Sequence, residues 1–160
     1  MHFSIVERDF LRKYLPEFDW TGFDTPTKHV PLNKPVEECR VALVTTSGAY
    51  LKGKQDPFTV KNLFGDDSYR VIPNDTPVED IGLAHPGYDT KRAAQDIDAV
   101  FPIGLLNALA ERGIVGEAAP RHISFMGYIP RTGRLMEEIA PATAGLLNED
   151  GVDLAILVPS

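Results

Sequence analysis

The 160-residue chain is long enough to bury one self-supporting core. A formal net charge of −7 with no basic run argues against nucleic acid and anionic membrane surfaces as partners. No apolar stretch approaches the roughly 18 residues of a membrane span, a lone cysteine (Cys39) excludes an internal disulfide, and the charged opening "MHFSIVERDF" lacks the apolar region of a signal peptide, so the cytoplasm is the expected compartment.

Residues 1–35 read as an arm. In "SIVERDFLRKYL", Val6, Phe10, Leu11 and Tyr14 fall near one helical face, with Ser4 as N-cap and Glu7 completing a capping box. The stretch that follows interleaves prolines with Phe18, Trp20 and Phe23, which predicts an extended segment pinned by its aromatics. Residues 36–160 read as an α/β domain. Val41–Val44 is an apolar, β-branched strand that runs into "TTSG". A long polar loop over 52–68 precedes a short strand at Tyr69–Ile72, and another short strand is expected before His85. A helix is predicted near 102–112, with Leu105, Leu106 and Leu109 on its buried face and Gly113 as its stop. Ile123–Met126 is a strand, Leu135–Asn148 a helix with Pro141 inside it and Gly151 after it, and Leu154–Val158 a buried parallel strand. Apolar runs separated by helical patterns predict a three-layer α/β fold with a mostly parallel sheet, of the Rossmann or flavodoxin-like kind, with an N-terminal extended arm.

In open sheets of this class ligands bind beyond the carboxyl ends of the strands. Thr45, Thr46, Ser47 and Gly48 stand at such an end; hydroxyls with a Gly-permitted turn form either an anion cradle or a turn that caps its own backbone. "AHPGYDT" brings His85, Tyr88 and Asp89 together in a turn set by Pro86 and Gly87, which suits proton transfer or a purely structural turn. His122 opens a buried strand and reads first as a packed histidine; Gly127 closes that strand. The histidines and Cys39 do not fall at zinc-ligand spacing, so no metal is expected, and there is no Gly-x-Gly-x-x-Gly, P-loop or Gly-x-Ser-x-Gly. Cys39, at the opposite end of its strand, reads as a small buried hydrophobe.

Six stretches, "RVALVTTSGAYLKG", "SYRVIPNDTP", "HPGYDT", "DIDAVFPIGLL", "APRHISFMGYIP" and "GVDLAILVPS", resemble in this order the glycine/sarcosine/betaine reductase selenoprotein B and D-proline reductase group, over roughly Cys39 to Ser160. The resemblance implies that the terminal strand runs directly into a selenocysteine, or a cysteine in thiol variants, which is the redox nucleophile. No catalytic residue and no other cofactor is then expected within these residues. The nucleophile is expected immediately after Ser160, the α/β domain is expected to be incomplete there, and a selenocysteine codon read as a stop is one expected cause. The implied function is a subunit or truncated form of a selenol- or thiol-dependent reductase that cleaves a C–N bond in glycine, sarcosine, betaine, D-proline or a related small amino acid. Its expected partners are other reductase subunits and further copies of itself. On this reading Thr45, Thr46, Ser47, Gly48, His85, Asp89, His122, Gly127 and Ser160 are the candidate substrate-binding residues. The alternative is a non-catalytic α/β module that holds a small amino-acid-like ligand.

Overall fold

A computed structural model describes Lys13, residues 30–62 and residues 65–160. The helix and most of the arm expected over 1–35 lie outside the described residues. In chain order the elements are β1 (Arg40–Thr45), β2 (Ala49–Leu51), β3 (Tyr69–Pro73), β4 (Ile81–Leu83), α1 (Thr90–Ala93), α2 (Ile103–Glu111), β5 (Glu117–Ala118), β6 (Arg121–Phe125), a π-helical turn (Leu135–Ile139) that continues into α3 (Ala140–Glu149), and β7 (Leu154–Val158).

The sheet is organised by β1. Val41 pairs in parallel with Ala118 of β5 and with Leu154 of β7; Val44 pairs in parallel with Ile123 of β6 and with Leu157 of β7. A strand has only two edges, so β5 and β6 share one of them, broken at Ala119–Pro120, and β7 takes the other. β3 then adds to the far side of β6, antiparallel, with Val71 opposite Ile123. The sheet is therefore mixed and mostly parallel, in an α/β fold, and the three expected parallel strands are neighbours. Polar contacts fix the register at the amino ends of these strands. Asp153 accepts the Arg40 backbone N–H (2.7 Å) and pairs with Lys34, Arg40 pairs with Glu117, and Arg121 bridges Glu149 and Asp150.

Residues paired across a ladder share a face. Val41 and Leu43 face a core built with Ile72, Phe101, Ile103, Leu106 and Val115, which puts α2 on that side. Val44 and Phe125 face the other way, towards Leu135, Ala140 and Thr143 of the π-turn and α3, across an apolar gap of about 440 Å³. The buried face of α2 departs from expectation: Ile103 and Leu106 are buried, whereas Leu105 is 56% exposed. Leu105 and Leu106 are consecutive, and consecutive residues on a helix cannot both point inward along a narrow stripe. The cap of α2 comes from upstream, since Asp98 Oδ1 accepts the N–H groups of Gly104 and Leu105. The π-turn before α3 is the local answer to Pro141, which has no N–H to give to the preceding turn.

β7 also differs from expectation. It lies at an edge, and Ile156 and Leu157 are 40% and 72% exposed rather than buried on both faces. Of its two sides, Leu154 and Val158 pack on the α2-side core. The short ribbon of β2 with β4 forms a separate antiparallel pair, Tyr50 opposite Gly82.

His122 is fully buried within the core. Its Nδ1 accepts the Leu43 backbone N–H (3.1 Å), and its Nε2 lies 2.9 Å from Asn74 Oδ1, which therefore accepts the ring's remaining proton. Asn74 in turn donates to Asn107 Oδ1. Burial pushes the imidazole down to about 4 from its usual 6.5. The unfolded chain thus binds this proton at a higher pH than the native protein does. Stability supplied by the neutral ring is complete above the unfolded value and is lost as pH falls from 6.5 towards 4, by on the order of 3 kcal/mol. Urea midpoints across this range are expected to drop more steeply for the native sequence than for His122→Gln, which is less stable at neutral pH but lacks the proton; parallel curves would contradict the assignment.

Candidate functional site

Because β1, β6 and β7 are parallel, their carboxyl ends emerge together, and the residues just beyond them meet. Thr46 follows β1, Gly127 lies two residues beyond β6, and Ser160 lies two beyond β7. All three line a cleft of about 490 Å³. The Ser160 N–H donates to Thr46 Oγ1 (2.9 Å), which joins the ends of β7 and β1 directly. Gly127 has φ +88°, and a Cβ there would come within 3.0 Å of Thr46 Cβ, so this position needs glycine both for its backbone and for its closeness to Thr46. Val60, Lys61 and Asn62 supply a second wall from the loop before β3, and Tyr128 extends the wall begun by Gly127.

The opposite wall is the turn after β4, with His85, Pro86 and Gly87. Its base is tied to the β1–β2 turn. The Ala84 N–H donates to the Gly48 carbonyl (2.9 Å), and a Cβ on Gly48, which has φ +70°, would fall 2.1 Å from the Ala84 carbonyl oxygen. The Gly87 N–H donates to His85 Nδ1 (2.9 Å), Tyr88 stacks on the imidazole, and the Tyr88 hydroxyl donates to the Ser47 carbonyl (2.6 Å). Partial burial lowers the pKa of His85 and raises that of Tyr88 to about 12, so both are uncharged at neutral pH.

The residues singled out in the sequence divide into two groups. Thr46, His85, Gly127 and Ser160 come together at the cleft. Thr45, Ser47 and Gly48 lie behind it: Thr45 Oγ1 donates to the Val100 carbonyl (2.8 Å) and accepts the Ser47 N–H, which makes this segment a self-capped turn rather than an open cradle. Asp89 caps the short helix α1 through the N–H groups of Lys91 and Arg92, away from His85's cleft. His122 stands in the core near the start of β6, remote from the strands' carboxyl ends. Cys39 is buried just before β1, and its thiol lies 3.3 Å from the Pro35 carbonyl. Val60, Lys61, Asn62 and Tyr128 were not singled out by the sequence. The loop residues have no periodicity, and only the adjacency of Tyr128 to Gly127 could have marked it. Among the described residues no cluster of His, Cys, Asp and Glu could hold a metal ion, and no helix is long and apolar enough to cross a membrane.

These features define an α/β protein with a ligand-sized cleft at the carboxyl ends of its parallel strands. The chain belongs to the glycine/sarcosine/betaine reductase selenoprotein B family, whose profile matches residues 11–160. It is 38% identical over 132 residues to the D-proline reductase subunit gamma of Acetoanaerobium sticklandii, an alignment that covers 82% of this chain and 53% of that protein. It is 27% identical over 151 residues to the glycine reductase complex component B subunit gamma of Peptoclostridium acidaminophilum, and 25% identical over 146 residues to the sarcosine reductase complex component B subunit beta of the same organism. Each of these alignments covers 91% of this chain and 33% of the relative. The chain thus spans between a third and about half the length of these relatives. No solved structure matches it.

Ser47 Oγ is buried and has no hydrogen-bond partner within the described residues. An unmatched buried hydroxyl costs about 1–3 kcal/mol. Ser47→Ala keeps the backbone N–H to Thr45 and the carbonyl that receives Tyr88, so it is expected to leave stability unchanged or raise it by up to about this amount. A loss of more than about 1 kcal/mol in denaturant unfolding would show that the hydroxyl has a partner.

Proposed function

We propose that this protein is a subunit of a multi-subunit reductase that cleaves a C–N bond in a small amino acid, and that the substrate occupies the cleft between Thr46, His85, Gly127 and Ser160. The observation that carries the reading is the direct bond from the Ser160 N–H to Thr46 Oγ1. It holds the carboxyl end of β7 against that of β1, at the mouth of a cleft large enough for a small amino acid. The names of the relatives supply the substrate class, D-proline, glycine and sarcosine, and describe subunits and components of complexes, which supports partner subunits here.

On this reading a selenol or thiol follows Ser160 and supplies the reducing nucleophile. Cys39 is a poor candidate for that role, because β1 separates it from the cleft by roughly 20 Å at a rise of about 3.3 Å per residue. The chain's own residues hold and orient. Thr46 fixes the end of β7, Gly127 keeps the floor open, and Lys61 and His85 bring a cation and a neutral imidazole to the walls.

The test is titration of the protein with D-proline, glycine, sarcosine and betaine, followed by amide chemical shifts. Saturable shifts at Thr46, Gly127 and Ser160 are expected with at least one of the four. Thr46→Val, which keeps the shape and removes the acceptor, is expected to weaken that affinity about three- to tenfold. Shifts with none of the four, or shifts confined to residues away from the strand ends, would refute the proposal.

A further inference from the structure

His85 is a constrained polar side chain on the cleft wall. Its Nδ1 accepts the Gly87 N–H at 2.9 Å, and its Nε2 has no hydrogen-bond partner among the described residues. Its ring lies against Tyr88, with centroids 4.6 Å apart and planes at 29°. Tyr88 cannot swing away without losing its own 2.6 Å bond to the Ser47 carbonyl. Gly87 must be glycine for this arrangement, since a Cβ there would fall 2.8 Å from His85 Cε1. A proton on Nδ1 would point at the Gly87 N–H, so the neutral ring carries its single proton on Nε2.

Charge around the cleft complements such a donor. The chain as a whole is acidic, yet the described side chains that line the cleft include Lys61 and no aspartate or glutamate. A wall with a cation and a fixed N–H donor, and without an acidic side chain among the described residues, suits an anionic oxygen.

We propose that Gly87 and Tyr88 hold His85 in the Nε2–H tautomer, so that it serves as a fixed hydrogen-bond donor to a carboxylate oxygen of the ligand in the cleft, with Tyr88 as the positioning residue. That the ligand is an amino acid rests on the function proposed above; the donor assignment rests on the geometry of residues 84–88 and the charge of the cleft. In this role His85 is not a base in the resting protein: one ring nitrogen is occupied and the other already bears a proton. It reads the substrate's carboxylate and leaves the reacting nitrogen to other groups.

Long-range ¹H–¹⁵N correlations of the His85 ring at pH 7 test the assignment without any ligand. The native protein is expected to show the Nε2–H pattern, and Tyr88→Leu a mixture of both tautomers; Gly87→Ala, acting through the contact with Cε1, is the second variant should Tyr88→Leu not fold. Acetate and D-proline are expected to shift the Nε2 resonance, whereas pyrrolidine, the same ring without a carboxylate, leaves it in place. His85→Gln, which retains an N–H near the same point, is expected to keep D-proline affinity within about threefold, and His85→Ala to lose about tenfold. An Nδ1–H or doubly protonated ring, a tautomer unmoved in both variants, or equal shifts with pyrrolidine and D-proline would overturn the proposal. A response to acetate but not to D-proline would leave the donor standing and overturn the amino-acid reading. Silence towards both would overturn the carboxylate contact itself.

Discussion

Pairing of β1 along both of its edges is the constraint on which the cleft depends. A strand hydrogen-bonded on both sides and covered on both faces has no freedom of register, because a slip of one residue would turn Val41 and Leu43 out of the core. The ion pairs around Arg40, Arg121 and Asp153 fix the same register at the other end of the sheet. Exposed pairs of this kind contribute little individually, so their role is alignment more than stability. Once β1 is placed, Thr46, Gly127 and Ser160 have to emerge side by side. The position of the cleft is a property of the whole sheet and not of any local motif.

The two histidines most prominent in the sequence show how environment assigns a role to one chemical group. Both accept a backbone N–H on Nδ1, and burial lowers the pKa of each. His122 gives its other nitrogen to Asn74 and is thereby enclosed in the core, where it ties β6 to β1 and to the turn after β3. His85 lines the cleft from a turn that includes Gly87, and its Nδ1 is taken by the Gly87 N–H. One ring is satisfied within the fold, and the other is held ready for something outside it.

Much of this was legible in the sequence, for physical reasons that differ between elements. Val41–Val44 announces itself because a strand covered on both faces is continuously apolar, and Ile123–Met126, apolar except for Ser124, marks the carboxyl half of β6, which runs from Arg121 to Phe125. The same logic misjudged Leu154–Val158, whose run is equally apolar although Leu157 is exposed, since hydropathy does not distinguish a central strand from an edge. β2 and β5 carry no signal: two or three residues paired through backbone alone do not need a pattern. The direction of β3 was equally hidden, because alternation says nothing about polarity. Among the candidate residues, Gly127 and Ser160 are chosen for their places at strand ends, and the structure places both on the cleft. Asp89, a substrate-binding candidate in the sequence, caps α1 in the structure, and an N-cap carboxylate and a ligand-binding one look alike until the following N–H groups are seen to turn towards it. The Val60–Asn62 wall could not be found at all, since its place against His85 is made by tertiary folding of a loop without periodicity.

The bond between Ser160 and Thr46 spans 114 positions, and that between Asp153 and Arg40 spans 113. Each therefore closes a loop of nearly the whole described fold, and the entropy of that closure is lost before the contact gives anything back. Parallel pairings of such high contact order form late and slowly. The α2-side core and the β3–β6 pair join residues nearer in sequence and can precede them. By this measure the β7 pairing, and the cleft with it, depends on the least local contacts among those compared, and any intermediate that lacks β7 would present the bare edge of β1 to whatever strand is at hand.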